Sequence, residues 1–123
     1  MLSNGKLVAF VATSDAARAR AFYESTLGLV VVEDSPFALV LDSAGTTIRV
    51  QKVESVRAAP YTALGWAVED VADAVRKLAA RGVEFQRYEG MEQDALGIWT
   101  SPSGARVAWF RDPDGHVLSL SGG

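Results

Sequence analysis

The chain has 123 residues, 49% of them apolar, with a formal net charge of −3 and a pI near 5.1. That suffices for one ordinary domain with a core, and it supplies no basic footprint for nucleic acid or an anionic membrane. Cysteine is absent, which removes disulfides and thiolate ligands or nucleophiles. No apolar run reaches the roughly 18 residues of a membrane span, and no signal-like N-terminus is present, so the expectation is a cytoplasmic protein.

Taken in chain order, the sequence states one pattern twice. Leu7 to Thr13 reads as an apolar strand running into Asp15, an N-cap for an Ala-rich helix with Ala19, Phe22, Tyr23 and Leu27 on one face. Phe37 to Leu41 leads to the turn sequence Asp42-Ser43-Ala44-Gly45, and Thr47-Ile48-Arg49-Val50-Gln51 alternates. Alternation places Ile48 and Val50 under the helix and Thr47, Arg49 and Gln51 on the other face. Glu54 to Pro60 breaks the pattern and reads as a linker.

The second copy starts at about residue 61. Leu64 to Val68 runs into Asp70, a second N-cap, and then a helix with Val71, Ala74, Val75 and Leu78 on its buried face and Gly82 at its C-terminal end. Val107 to Arg111 leads to the turn Asp112-Pro113-Asp114-Gly115. In Val117-Leu118-Ser119-Leu120-Ser121, Leu118 and Leu120 point to the helix side and Ser119 to the opposite face. A type I turn at Pro113 pairs Asp112 with His116 and Trp109 with Ser119. That places Trp109 on the second face and Phe110 under the helix; the equivalent pairing in the first copy sets Leu39 opposite Arg49. A different turn would slip the register by one and exchange the faces. His116 reads as an exposed turn residue, and Trp66 falls on the helix side.

Each copy is therefore a strand, a helix and three strands. The expectation is one α+β domain over residues 1–123, with module one at about 6–53, a linker at about 54–60 and module two at about 61–121. Polar-tinted second faces in both sheets suggest a shared cleft or a solvated surface. The second copy carries about 15 extra residues between helix and turn, so residues 88–103, with Tyr88, Met91 and Trp99, read as a lid, a short extra strand or a dimer contact.

Asp15 with Phe22-Tyr23-Glu24 and Leu27-Gly28-Leu29, Asp70 before the second helix, and Phe110-Arg111-Asp112-Pro113-Asp114-Gly115-His116 together resemble the vicinal oxygen chelate superfamily of glyoxalases, dioxygenases and bleomycin-resistance proteins. The resemblance covers most of the chain. It implies two tandem βαβββ modules forming an open, U-shaped mixed sheet around a cleft, with helices on the outer faces, and it implies a homodimer. The positions that hold a divalent metal in metal-dependent members look like Val8, Arg49, Ala63 and Ser119 here. These are not His, Glu or Gln, and the chain has one histidine. Imidazole and carboxylate donors are what such metals require, so a metal-free protein without a cofactor is expected.

Arg49 then becomes the leading candidate. It offers a fixed donor fork to a carboxylate, phosphate or enolate oxygen, with Gln51 beside it, or else it is a structural ion pair with Asp42, Glu33 or an acid of the other module. Trp99 and Trp109 would give flat apolar walls, or plain core, and Ser119 a polar contact. The expected ligand-binding set is Arg49, Gln51, Trp99, Trp109 and Ser119. No catalytic residue is assigned. Tyr61, Tyr88, Glu92, Asp94 and His116 are available as acids or bases, but none forms a defensible pair. The leading expectation is a metal-free small-molecule binding protein of the bleomycin-resistance-like type, taking an aromatic or acidic metabolite or antibiotic. A metal-independent isomerase, lyase or hydrolase is the alternative, and a ligand-free regulatory or assembly domain the third.

Overall fold

A computed structural model describes residues 1–123, which divide into two compact units, Met1–Arg57 and Ala58–Gly123. The first unit contains β1 (Val8–Thr13), α1 (Ala16–Arg20), a π-helical continuation (Ala21–Thr26), β2 (Val30–Asp34), β3 (Ala38–Ser43) and β4 (Thr46–Lys52). The second contains β5 (Thr62–Val68), α2 (Val71–Ala80), β6 (Trp99–Thr100), β7 (Arg106–Arg111) and β8 (Val117–Gly122). Each unit holds one four-stranded mixed sheet, ordered β1-β4-β3-β2 and β5-β8-β7-β6. In each, the first strand runs parallel to the last and the other pairs are antiparallel. This is the α+β fold of repeated βαβββ modules expected from the sequence.

The helix caps follow the sequence. Asp15 accepts a hydrogen bond from the Arg18 amide at 3.1 Å and Asp70 from the Asp73 amide at 3.0 Å, each satisfying an otherwise orphaned helix donor. α1 departs from expectation in its second half. The Leu27 amide bonds to the Phe22 carbonyl at 2.9 Å, a five-residue step, so the helix widens by one residue per turn. Tyr23 stays fully buried, while Phe22 and Leu27 are only half-buried.

Strand alternation builds both cores. In the first sheet Val11, Val50 and Leu39 lie side by side, followed by Ala9, Ile48 and Leu41, and all but Ala9 of these are buried. In the second, Leu118 pairs with Phe110 and Leu120 with Ala108, and α2 packs over β7 and β8 through buried Val71 and Val75. Phe85 adds its ring to Phe110 at 5.4 Å.

The two hairpin turns differ, and this corrects the expected register in the first module. After β7 the Gly115 amide bonds to the Asp112 carbonyl at 3.0 Å and the Asp112 amide to the His116 carbonyl at 3.0 Å, while Gly115 takes φ +90°. That is a type I turn closed by a glycine bulge, and it sets Trp109 opposite Ser119 as expected. After β3, Ser43 pairs directly with Thr46 around Ala44 and Gly45, whose φ values are +47° and +89°. This two-residue loop is one residue shorter. Val40, and not Leu39, therefore faces Arg49, and Leu39 pairs with Val50 on the buried side.

Candidate functional site

The face of each sheet away from its helix carries the expected polar and aromatic residues. On the first sheet Arg49 stands between Phe10 on β1 and Val40 on β3, with Gln51 one pair further along between Ala12 and Ala38. Phe10 is 57% exposed, Arg49 half-buried and Gln51 exposed. The ion pair that would have made Arg49 structural is not formed with Asp42, Glu33 or any other acid, and its guanidinium has no hydrogen-bond partner. The acids around it are otherwise placed. Asp42 receives the Gly45 amide at the hairpin, at 3.5 Å, and Asp34 is held by Arg20 and Lys52 at the far end of β2.

On the second sheet Trp109 and Ser119 form a cross-strand pair, and Ser119 in turn faces Gly65 on β5. Tyr88 meets Trp109 edge-on, with ring centroids 5.5 Å apart, and Trp99 lies against the same indole at 6.3 Å with its plane tilted by 38°. An open pocket of about 260 Å³ is formed by Tyr61, Thr62, Tyr88, Met91, Trp109 and Val117, beside Pro60. None of these side chains carries a charge at neutral pH. Trp66 sits beside Leu120 in the register, on the α2 side, as the alternation implies.

The segment carrying Tyr88 and Met91 is fastened down. Gln93 accepts from the Tyr88 amide at 2.8 Å and donates through Nε2 to the carbonyls of Gln86 and Gly97, both at 2.9 Å. The Gln86 amide donates to the Trp109 carbonyl at 2.8 Å. Arg87 donates to the Asp94 and Ala95 carbonyls at 2.6 and 2.8 Å, and Asp94 receives the amides of Leu96 and Ile98, both at 2.9 Å. Residues 81–98 thus replace the short 27–29 connection of the first module with a pinned loop, and Trp99 and Thr100 then form the module's edge strand. A second open pocket, of about 470 Å³, lies among Glu92, Asp94, Ile98, Trp99 and Thr100. Its Asp94 carboxylate is already committed to the two amides and to Arg106 at 3.4 Å.

The five expected site residues therefore fall into two groups. Arg49 and Gln51 share the first sheet; Trp99, Trp109 and Ser119 share the second. The sequence marks Tyr88 and Met91 as parts of a loop and Tyr61 and Tyr88 as possible acids or bases, but does not join them to Trp109. The hint it had was the concentration of aromatic and thioether side chains in the inserted segment. His116, expected at the surface, is only 8% exposed: the bulged turn folds it inward, where its amide donates to the Asp112 carboxylate at 2.9 Å.

The family model of the Glyoxalase/Bleomycin resistance protein/Dioxygenase superfamily matches residues 7–120. The chain belongs to this superfamily. Solved structures with the same fold include a superfamily member from Sphaerobacter thermophilus, at 26% identity and a TM-score of 0.74, covering 96% of either chain. A lactoylglutathione lyase from Agrobacterium tumefaciens matches at 18% identity and a TM-score of 0.75, over 98% of this chain and 94% of its own. A glyoxalase/bleomycin resistance protein/dioxygenase from Alicyclobacillus acidocaldarius matches at 18% identity and a TM-score of 0.69, over 96% of this chain and 90% of its own. No curated protein matches the chain.

Within this superfamily a divalent metal is the group to test for fit. No three His, Cys, Asp or Glu side chains converge anywhere in the chain. At the positions the resemblance assigns, Val8 and Ala63 have no donor atom, Arg49 is a cation that would repel a metal, and Ser119 offers a neutral hydroxyl. The donor set does not suit a resident divalent ion. No helix is long and apolar enough to cross a membrane.

Proposed function

We propose that the protein is a metal-free small-molecule binding protein of the bleomycin-resistance-like type, a cytoplasmic homodimer that takes an aromatic or acidic metabolite or antibiotic on its open sheet faces. The observation that carries this reading is Arg49. Arg49 is a half-buried residue whose guanidinium has no counter-ion, a donor fork flanked by Phe10 and Val40 on the neighbouring strands. Gln51 on the same strand adds an exposed amide, and the second module presents Trp109 with Tyr88 and Trp99 as an aromatic surface of its own. The enzyme alternative loses two of its candidate acids or bases: Asp94 is consumed by its own loop, and His116 is folded into the turn.

The test is calorimetric titration of the purified protein with aromatic carboxylates and phosphates, such as benzoate, naphthoate and phenyl phosphate. A charged hydrogen bond contributes about 1.5–3 kcal/mol, so Arg49→Ala is expected to weaken the best ligand by roughly 10- to 100-fold, and Arg49→Lys by less. Wild-type protein that binds none of them at millimolar concentration would overturn the reading. Mass measured across a dilution series checks the dimer, which a concentration-independent monomer would rule out.

A further inference from the structure

We infer that the pocket bounded by Tyr61, Tyr88, Met91 and Trp109 is a preformed site for an uncharged planar ring, one or two rings in size. The inference rests on the binding role proposed above and names the ligand class that the second module's own sheet face takes.

Three observations carry it. The pocket's volume of about 260 Å³ lies just below the usual range for drug-sized ligands, so it suits a single small ring system. Its walls are aromatic, thioether and aliphatic, with phenol and threonine hydroxyls and the Trp109 indole N–H as their polar side-chain groups, so an ion entering it would meet no side chain of opposite charge. Its shape is also set in advance. Tyr88 is held edge-on to Trp109, and the loop bearing Tyr88 and Met91 is tied by Gln93 to Gln86, whose own amide is tied to Trp109. A site whose walls are already ordered avoids the entropy cost of assembling them on the ligand. The Met91 thioether adds a polarisable contact for a ring that enters the pocket. The larger neighbouring pocket offers no comparable site, because its Asp94 carboxylate is spent on the loop and on Arg106.

The experiment uses the intact chain and three probes: naphthol, naphthoate and tetramethylammonium. The chain has three tryptophans, so its indole N–H signals in a proton–nitrogen correlation spectrum can be assigned by replacing each with Phe in turn. Naphthol is expected to move the Trp109 signal most and to leave Trp66, on the opposite side of the sheet, in place. Tyr88→Ala should weaken naphthol at least about tenfold, and Lys77→Ala, at an exposed position of α2, should change it by less than about twofold. Naphthol binding that spares Trp109, or that survives Tyr88→Ala, overturns the inference. So does tighter binding of tetramethylammonium at Trp109, which would make the pocket a cation cage. Naphthoate bound through Arg49 with no naphthol binding overturns this inference while leaving the Arg49 reading intact. Naphthol bound at Trp109 while naphthoate binding shows no dependence on Arg49 supports the pocket and defeats the Arg49 reading.

Discussion

Gly65 lies directly across from Ser119 in the parallel β5–β8 pair, so close that a methyl group on Gly65 would stand 2.7 Å from the Ser119 hydroxyl oxygen. The backbone of Gly65 does not require glycine for its dihedral angles; the constraint is the neighbour. Gly65→Ala is therefore expected to cost about 1 kcal/mol, the low end for overpacking, because the hydroxyl can rotate away. Ser119→Ala removes the oxygen that collides. In a double-mutant cycle followed by urea unfolding, the pair should recover about 0.5–1 kcal/mol relative to the sum of the singles. Simple additivity would show that the close approach does not matter to stability.

The same sheet shows what the sequence could and could not reveal. Period-two alternation was enough to put Leu118, Leu120, Ile48 and Val50 inside and Arg49 and Ser119 on the opposite faces, since a buried face leaves no freedom of phase. Caps at Asp15 and Asp70 were equally legible, because a helix start needs an acceptor at one position. The Leu39 register was not. Asp42-Ser43-Ala44-Gly45 resembles Asp112-Pro113-Asp114-Gly115 in letters, but without proline the first turn closes on two residues instead of a bulged type I turn. The aromatic pocket was hidden for another reason. Tyr88 and Met91 reach Trp109 through a loop that Gln93 closes with its side chain, and such a clamp has no periodic signature.

That shorter turn can be improved. Ala44 holds φ +47°, a left-handed conformation that costs a residue with a β-carbon roughly 1–2 kcal/mol and that asparagine tolerates better. Ala44→Asn makes the Asn-Gly pair favoured in this type of hairpin. It should raise unfolding stability by about 0.5–1 kcal/mol, visible as a higher midpoint in urea with an unchanged slope. A lower midpoint would mean that the turn geometry is wrong.

Arg49 should behave oppositely in stability and in binding. Because no partner is lost with it, Arg49→Leu is expected to change unfolding stability by no more than about 0.5 kcal/mol. A structural ion pair would show a larger loss, and with it a salt-dependent midpoint. Thermal unfolding at low and high salt separates the two.

Gln93 is the converse case. Its carboxamide makes three hydrogen bonds to the backbone of its own segment, so Gln93→Leu leaves the Tyr88 amide and two carbonyls without their partner. The cost should be about 1–3 kcal/mol, concentrated locally. Hydrogen exchange is expected to rise across residues 86–98 while β7 and β8 stay protected. Uniform loss of protection would show that the loop and sheet open as one unit.

Asp34 sets the direction of the acid response in the first module. Hydrogen bonds from Lys52 and then Arg20 hold its carboxyl below the ordinary 3.8, against a smaller opposing effect of desolvation. A depressed folded value means that the unfolded chain takes up the proton first. The contribution of Asp34 is then complete above about 3.8 and is lost as the pH falls from there through the lower folded value. The group is solvent-exposed, so the contribution is screened by salt. Asp34→Asn should lower stability at neutral pH and flatten its decline below pH 4, and the difference between the two proteins should shrink in high salt. An unchanged acid slope in the variant would assign the decline to other carboxylates.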